Sequence, residues 1–301
     1  MGAQLKADLA AHGGFEDIAQ VEAFVGGWQA MQNSRPLEDF EGLSPEQMAM
    51  LLDAPFESPA ILEFRFEHYD PTGAPVMQLF TALAEHIGEQ GVKPTATGNL
   101  PPAICRTIAQ DYWGARRYSE ETAFTAIRSE PDFAELHKTR ALAELAGLIR
   151  KYKGRLILSR LARTHLQQSD FAGLYRILLQ TYCTTFNWAY EDLYPDLMII
   201  QDAFAFTLYL LHRHGQHPYP EHFYASAFLR AFPMIVEEVP EEDPFKPEDQ
   251  VRHAYALRTL ERGLPFLGLL ERTAAGKSAD GRRTFLVQST PLLRQLVQFH
   301  V

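Results

Sequence analysis

The sequence predicts a mainly α-helical protein with short β-hairpins, in which two winged-helix-like units bracket a helical core. Three observations predict this class. Apolar residues recur at helical spacing along most of the chain. Two segments, 147–159 and 268–290, read as apolar edge, basic glycine turn and apolar strand. The most hydrophobic stretch, 171–234, lies between them.

The chain has 301 residues, 46% of them hydrophobic, which supplies a sizeable core and excludes disorder as a description of the whole. Its 28 basic and 38 acidic residues leave a net charge of −10, which excludes a simple nucleic-acid-coating protein. Cys105 and Cys183 form no CxxC pair and read as buried free thiols in a reducing compartment. The N-terminal MGAQLKADLAAHGG has no apolar signal core, and Lys6 stands where myristoylation needs Ser or Thr. The apolar run Met198–Leu211 is interrupted by Gln201 and Asp202 and falls short of the about 20 residues of a membrane span. The expectation is a bacterial-type cytoplasmic protein, with no membrane partner and no cofactor.

Residues 1–120 form an acidic N-terminal helical region. Ser44, Pro45 and Gln47 have the spacing of a capping box with proline at the first helical position. Met77, Phe80, Leu83, Ala84 and Ile87 make one stripe of a helix over 76–90. Residues 121–170 form the first winged-helix-like unit. Phe133, Leu136, Leu142 and Leu145 face inward from a helix over 133–146, Gly147 closes it, and Ser159 caps the next helix. In the core, 171–236, Leu174, Tyr175, Leu178, Tyr182 and Phe186 share a face, 199–211 reads as one buried helix, and 221–232 as another. Residues 237–250 form an acidic, proline-rich loop. The second unit, 251–301, has a helix over 251–262, a strand over 284–287 and a final helix over 292–298.

The two units share a grammar. Gly147-Leu148-Ile149 parallels Gly268-Leu269-Leu270, Gly154-Arg155 parallels Gly281-Arg282, and Ser159 with Arg163 parallels Thr290 with Arg294. Thr95 and Gly98 read as a degenerate further copy.

Together LSPEQMAMLLDAPFESP, GVKPTATGNLPP, GLIRKYKGRLILSR, FNWAYEDLYP and LRTLERGLPFLGLLER resemble a family of uncharacterised bacterial proteins. Some of its relatives are associated with plasmid-borne open reading frames. The resemblance covers most of the chain and implies winged-helix-like repeats, with no activity, cofactor or catalytic residue attached.

Charge is unevenly spread. Between 136 and 166 eight basic residues stand against Glu144 alone: Lys138, Arg140, Arg150, Lys151, Lys153, Arg155, Arg160 and Arg163. A second basic island, 252–294, holds eight basic residues against three acids and includes Lys277, Arg282 and Arg283. A basic wing can lie along a phosphate backbone and release its counterions. These eleven residues are therefore the candidate nucleic-acid contacts, with Lys138 and Arg140 on the groove-facing helix. The acidic loop could screen a wing as a phosphate mimic. A protein-interaction scaffold is the alternative reading, and an enzyme with a cleft between lobes is a third.

The four histidines His212, His214, His217 and His222 sit in a Gly/Pro turn with no Cys or HExxH spacing, and read as a loop and not a metal site. Glu191, Asp192 and Asp196 beside aromatic residues have the composition of a carboxylate pair site, but also that of a helix end. Phosphate-binding glycine loops and nucleophile elbows are absent from the sequence. No catalytic residue and no metal ligand is assigned.

Overall fold

The computed structural model describes residues 2–11, 13–15, 17–67, 69–240, 246–277, 281 and 283–301. It is mainly helical, with a few short antiparallel strand pairs. Helices α1 (Gly2–Ala11) and α2 (Ile18–Asn33) precede α3 (Pro45–Asp53). The capping box is present: Ser44 Oγ accepts from Gln47 N–H, and Gln47 returns an acceptor to Ser44 N–H. Strand β1 (Leu62–Phe64) follows.

The next elements make a connectivity that occurs twice. In the first copy, α4 (Pro75–Ile87) leads to a single bridge residue, Val92. Then come α5 (Pro102–Glu121), bent at Gly114, and α6 (Ala134–Leu145). The hairpin β2 (Ile149–Tyr152) and β3 (Arg155–Leu158) ends in α7 (Arg160–Gln167). Helices α8 (Phe171–Thr184) and α9 (Ile199–Asp202) connect to the second copy.

That copy runs α10 (Phe204–His214), β4 (Tyr219–Pro220), α11 (Glu221–Ala231) and α12 (Pro247–Tyr255). After a π-helical turn (Ala256–Gly263) come β5 (Leu270–Lys277), β6 (Arg283–Ser289) and α13 (Pro291–Leu296). In both copies the strand after the first helix pairs antiparallel with the last hairpin strand, Val92 with Leu156 and Tyr219 with Val287.

The match reaches individual hydrogen bonds. Leu148 N–H donates to Ala143, and Leu269 N–H to Leu264. Ser159 N–H reaches back to Leu148, and Thr290 N–H to Leu269. Ile149 faces Leu158 as Leu270 faces Ser289. Ser159 and Thr290 each cap the next helix three residues on. Gly147 and Gly268 share φ values of 69° and 75°, a conformation that glycine adopts without steric penalty. The sequence division at 120/121 falls at the end of α5, inside the first copy, which begins at Pro75.

The apolar stripe of α4 is buried as its spacing requires, including Met77, Phe80, Leu83, Ala84 and Ile87. Residues 204–211 of α10 are buried all round. One contiguous set of buried side chains runs from Leu43 to Phe299.

Several expectations are corrected. The helix expected over 199–211 breaks at Ala203 (φ −84°, ψ 19°). The final helix stops at Leu296, because Val297–Phe299 form β7 and pair with Phe64–Leu62. Leu145 is half exposed, and the helix closes on Leu142 and Ala143 instead. Thr95 and Gly98 close a tight turn within the first copy, where Thr95 N–H and Oγ1 both bond Asn99 O. They form no hairpin of their own.

Candidate functional site

Burial alternates along β3, whereas in β2 it ends after Ile149. Ile149, Leu156 and Leu158 point into the core, while Arg150, Lys151, Tyr152, Lys153 and Arg155 are exposed. Its two-residue turn, Lys153–Gly154, has φ of 46° and 73°. Positive φ at both positions defines the type I′ turn, whose twist matches a short hairpin.

The hairpin is anchored at its base. Val92 and Leu156 exchange backbone hydrogen bonds of 2.9 and 2.7 Å. Arg155 donates to the carbonyls of Gln90 and Gly91, both at 2.7 Å. A Cβ on Gly91 would stand 2.5 Å from the Leu156 carbonyl oxygen, so only glycine lets the two segments approach. Arg155 is therefore a positioning residue as well as a surface cation.

At the tip, Arg150 and Lys153 sit over the Tyr152 ring, 5.5 and 5.4 Å from its centroid. Arg160 and Arg163 are exposed in the first turn of α7. Cations at a helix N-terminus face the positive end of the dipole and cost a few tenths of a kcal/mol, about 0.3–1. Among the described residues, no carboxylate pairs with Arg150, Lys151, Lys153, Arg155, Arg160 or Arg163. Lys93, exposed beside the bridge residue, adds a cation that the charge count over 136–166 missed.

Lys138 and Arg140 are elsewhere. Both are buried, and α6 presents neither to a groove. Lys138 Nζ donates to the Arg262 carbonyl at 3.2 Å and lies 4.9 Å over the Phe266 ring. Arg140 bonds Glu130 at 2.6 Å and Glu144 at 2.7 Å. Glu130 is fully buried and also accepts from Leu100 N–H (2.5 Å) and His137 Nδ1 (2.9 Å). Burial alone would push its carboxyl up; the hydrogen bonds from His137, Leu100 and Arg140 outweigh that and hold it below the usual carboxylate range. The sequence signal for this was Ser129-Glu130-Pro131-Asp132, a capping motif just upstream of the basic island.

The second hairpin is less free. Lys277 and Arg283 face each other across it, both exposed. Arg282 lies outside the described residues. Arg272 is engaged by Glu221 and by Glu261 (3.2 Å) and stacks on Phe285. A bulge between Ala274 and Gly276 re-aims the strand. Residues 241–245 of the acidic loop lie outside the described residues, and so does its expected contact with a basic hairpin.

The other sequence candidates have structural roles. Asp192 is buried against Arg258 at 2.8 Å, and Arg258 also donates to the carbonyls of Tyr194, Pro195 and Asp196. This carboxylate is thus not available to an active-site pair. His212 packs on Phe299, while His214 packs on Phe223 and reaches Glu41 at 3.3 Å. No group of three or more His, Cys, Asp or Glu among the described residues could hold a metal ion. No helix among them is long and apolar enough to cross a membrane.

No family model matches the chain, nor does any curated protein or solved structure.

Proposed function

We propose that the protein binds nucleic acid by laying the β2–β3 hairpin along a phosphate backbone. One observation carries the reading. In a chain of net charge −10, six neighbouring cations on one hairpin and the helix after it have no carboxylate partner among the described residues. Exposed cations add little to the stability of a fold, and a cluster of them with no carboxylate beside it is open to a phosphate backbone.

The order helix, strand, helix, helix, hairpin supports treating each copy as a winged-helix-like unit, with the hairpin as wing. The third helix of such a unit ordinarily reads bases. Here the exposed residues of α6 are Ala134 and Leu145, which carry no base-reading donor. Affinity then comes from phosphate contacts and is insensitive to sequence.

The test is fluorescence anisotropy with a mixed-sequence duplex across a salt series. The wild type should bind, and Arg150→Ala/Lys151→Ala/Lys153→Ala should reduce the log–log salt slope by about 3. Absence of salt-sensitive binding to both DNA and RNA at low salt overturns the proposal.

A protein-docking scaffold is the second reading. It is favoured by Phe124 and Leu193, whose side chains stand fully in solvent. A stoichiometric partner retained by the wild type and lost in Phe124→Ser/Leu193→Ser would support it.

A further inference from the structure

Tyr152 stands among the unpaired cations of the first hairpin, beside its turn, and is 49% exposed. It belongs neither to the buried core nor to the half-buried side chains packed against that core. Among the described residues no other ring contacts it, and its hydroxyl has no hydrogen-bond partner.

Aromatic residues in a hairpin ordinarily pair across the strands with another ring or a β-branched side chain. The residue opposite Tyr152 is Arg155, whose guanidinium is held by the carbonyls of Gln90 and Gly91 instead. The ring lies beside Arg150 and Lys153, 5.5 and 5.4 Å from its centroid, and no carboxylate among the described residues fixes either cation there. The second hairpin shows the opposite arrangement. Its Phe285 ring is covered by Arg272, 3.3 Å from the centroid, and Glu221 and Glu261 hold that guanidinium in place.

Magnitudes decide what such a ring can take. A mobile, exposed cation over a ring is worth about a two- to fivefold factor in affinity. A base stacked on an aromatic side chain is worth roughly five- to hundredfold. A base therefore displaces the cation, which is then at hand for the phosphates on either side of that base. Every base has a π-face, so the stack selects no sequence. In a closed duplex each base is covered by its neighbours, and exposing one costs about as much as the stack returns. On a duplex Tyr152 is idle.

We infer that Tyr152 is a stacking platform for an unpaired base, so that on single-stranded nucleic acid the hairpin adds a base contact to its phosphate contacts. The inference rests on the nucleic-acid reading above and names the form of strand that engages the whole hairpin.

The experiment is fluorescence anisotropy of the full chain across a salt series, with variants compared at matched salt. The probes are a labelled single strand and the duplex made from it, each as DNA and as RNA, and the abasic counterpart of each strand, which keeps the phosphates and lacks the bases. Tyr152→Ala should weaken single-strand binding by about fivefold or more, and duplex binding by less than about twofold. Tyr152→Phe, which keeps the ring, should bind as the wild type does. On the abasic strand Tyr152→Ala should match the wild type, an outcome that a merely structural role of the side chain would not produce. The inference is overturned, with the phosphate reading intact, if Tyr152→Ala loses equally on single strand and duplex, loses on neither, or loses as much on the abasic strand. If the wild type shows no salt-sensitive binding to any probe, the nucleic-acid reading fails and the inference falls with it.

Discussion

The two copies of the repeated connectivity agree where the backbone needs agreement and differ where solvent begins. The αL glycines, the hairpin register and the hydroxyl caps coincide. The hairpins themselves diverge: the first is short, closed by a two-residue turn and lined with unpaired cations, whereas the second is longer, bulged, and has Arg272 tied down by Glu221 and Glu261. The third helices are held differently as well. Arg140 of α6 is held by Glu130 from its own copy, while Arg258 of the π-helical turn is held by Asp192, from the segment between the copies. Backbone grammar is thus common to the pair, and charge is what sets them apart.

The largest expected effect tests the hairpins against each other. Arg150→Ala/Lys151→Ala/Lys153→Ala should lower duplex-DNA affinity by about a thousandfold at low salt. Lys277→Ala/Arg283→Ala should lower it much less, and equal losses measured by anisotropy would make the two hairpins equivalent surfaces. Next is Glu130→Ala, which takes from buried Arg140 one of its two carboxylates, leaves Leu100 N–H without its acceptor and should cost about 3 kcal/mol in urea unfolding. Because the folded Glu130 is held below its ordinary value, its contribution is present above about pH 4.3, the unfolded pKa. That contribution is lost as pH falls through the lower folded value. A wild type no more acid-sensitive than Glu130→Gln below pH 4.3 would contradict this.

Smaller effects separate the matched positions. At Gly268 an added Cβ meets the Ala74 side chain at 2.8 Å, whereas at Gly147 nothing lies within 4 Å. Both substitutions to Ala incur the left-handed penalty of about 1 kcal/mol. Gly268→Ala should cost about 1–3 kcal/mol more by overpacking, read as a lower urea midpoint. Smallest is the pair of caps. Ser159→Ala should cost about 1 kcal/mol. Thr290→Ala should cost more, because Thr290 Oγ1 also donates to the Gly268 carbonyl at 2.7 Å. Equal shifts in thermal midpoint would show that this extra bond carries no weight.

What was legible in the sequence follows the same line. Ser44, Ser159 and Thr290 announced their helices, and Gly154 announced its turn, because caps and turns are local chemistry. The inward stripe of α4 was legible from spacing alone. The burial of Lys138 and Arg140 was not, since their partners Glu130 and the Arg262 carbonyl come from outside the basic run. Nor was β7: Val297–Phe299 continues an apolar pattern, and only pairing with Leu62–Phe64 across the chain turns it into a strand. The cations of the β2–β3 hairpin were found by counting charge. Tyr152 was not, because a charge count passes over a neutral ring.

The β1–β7 pair has a consequence for biosynthesis. Its two strands are separated by nearly the whole repeated region, and His300 N–H adds a bond to Ile61 beyond the ladder. At about 5–20 residues per second, a ribosome takes on the order of 10–50 s to pass from the first strand to the second. For that interval the edge at Leu62–Phe64 has no mate, and an unpaired strand edge invites association with other chains. The nascent protein is accordingly open to edge-to-edge association from the emergence of Leu62–Phe64 until residue 299 follows.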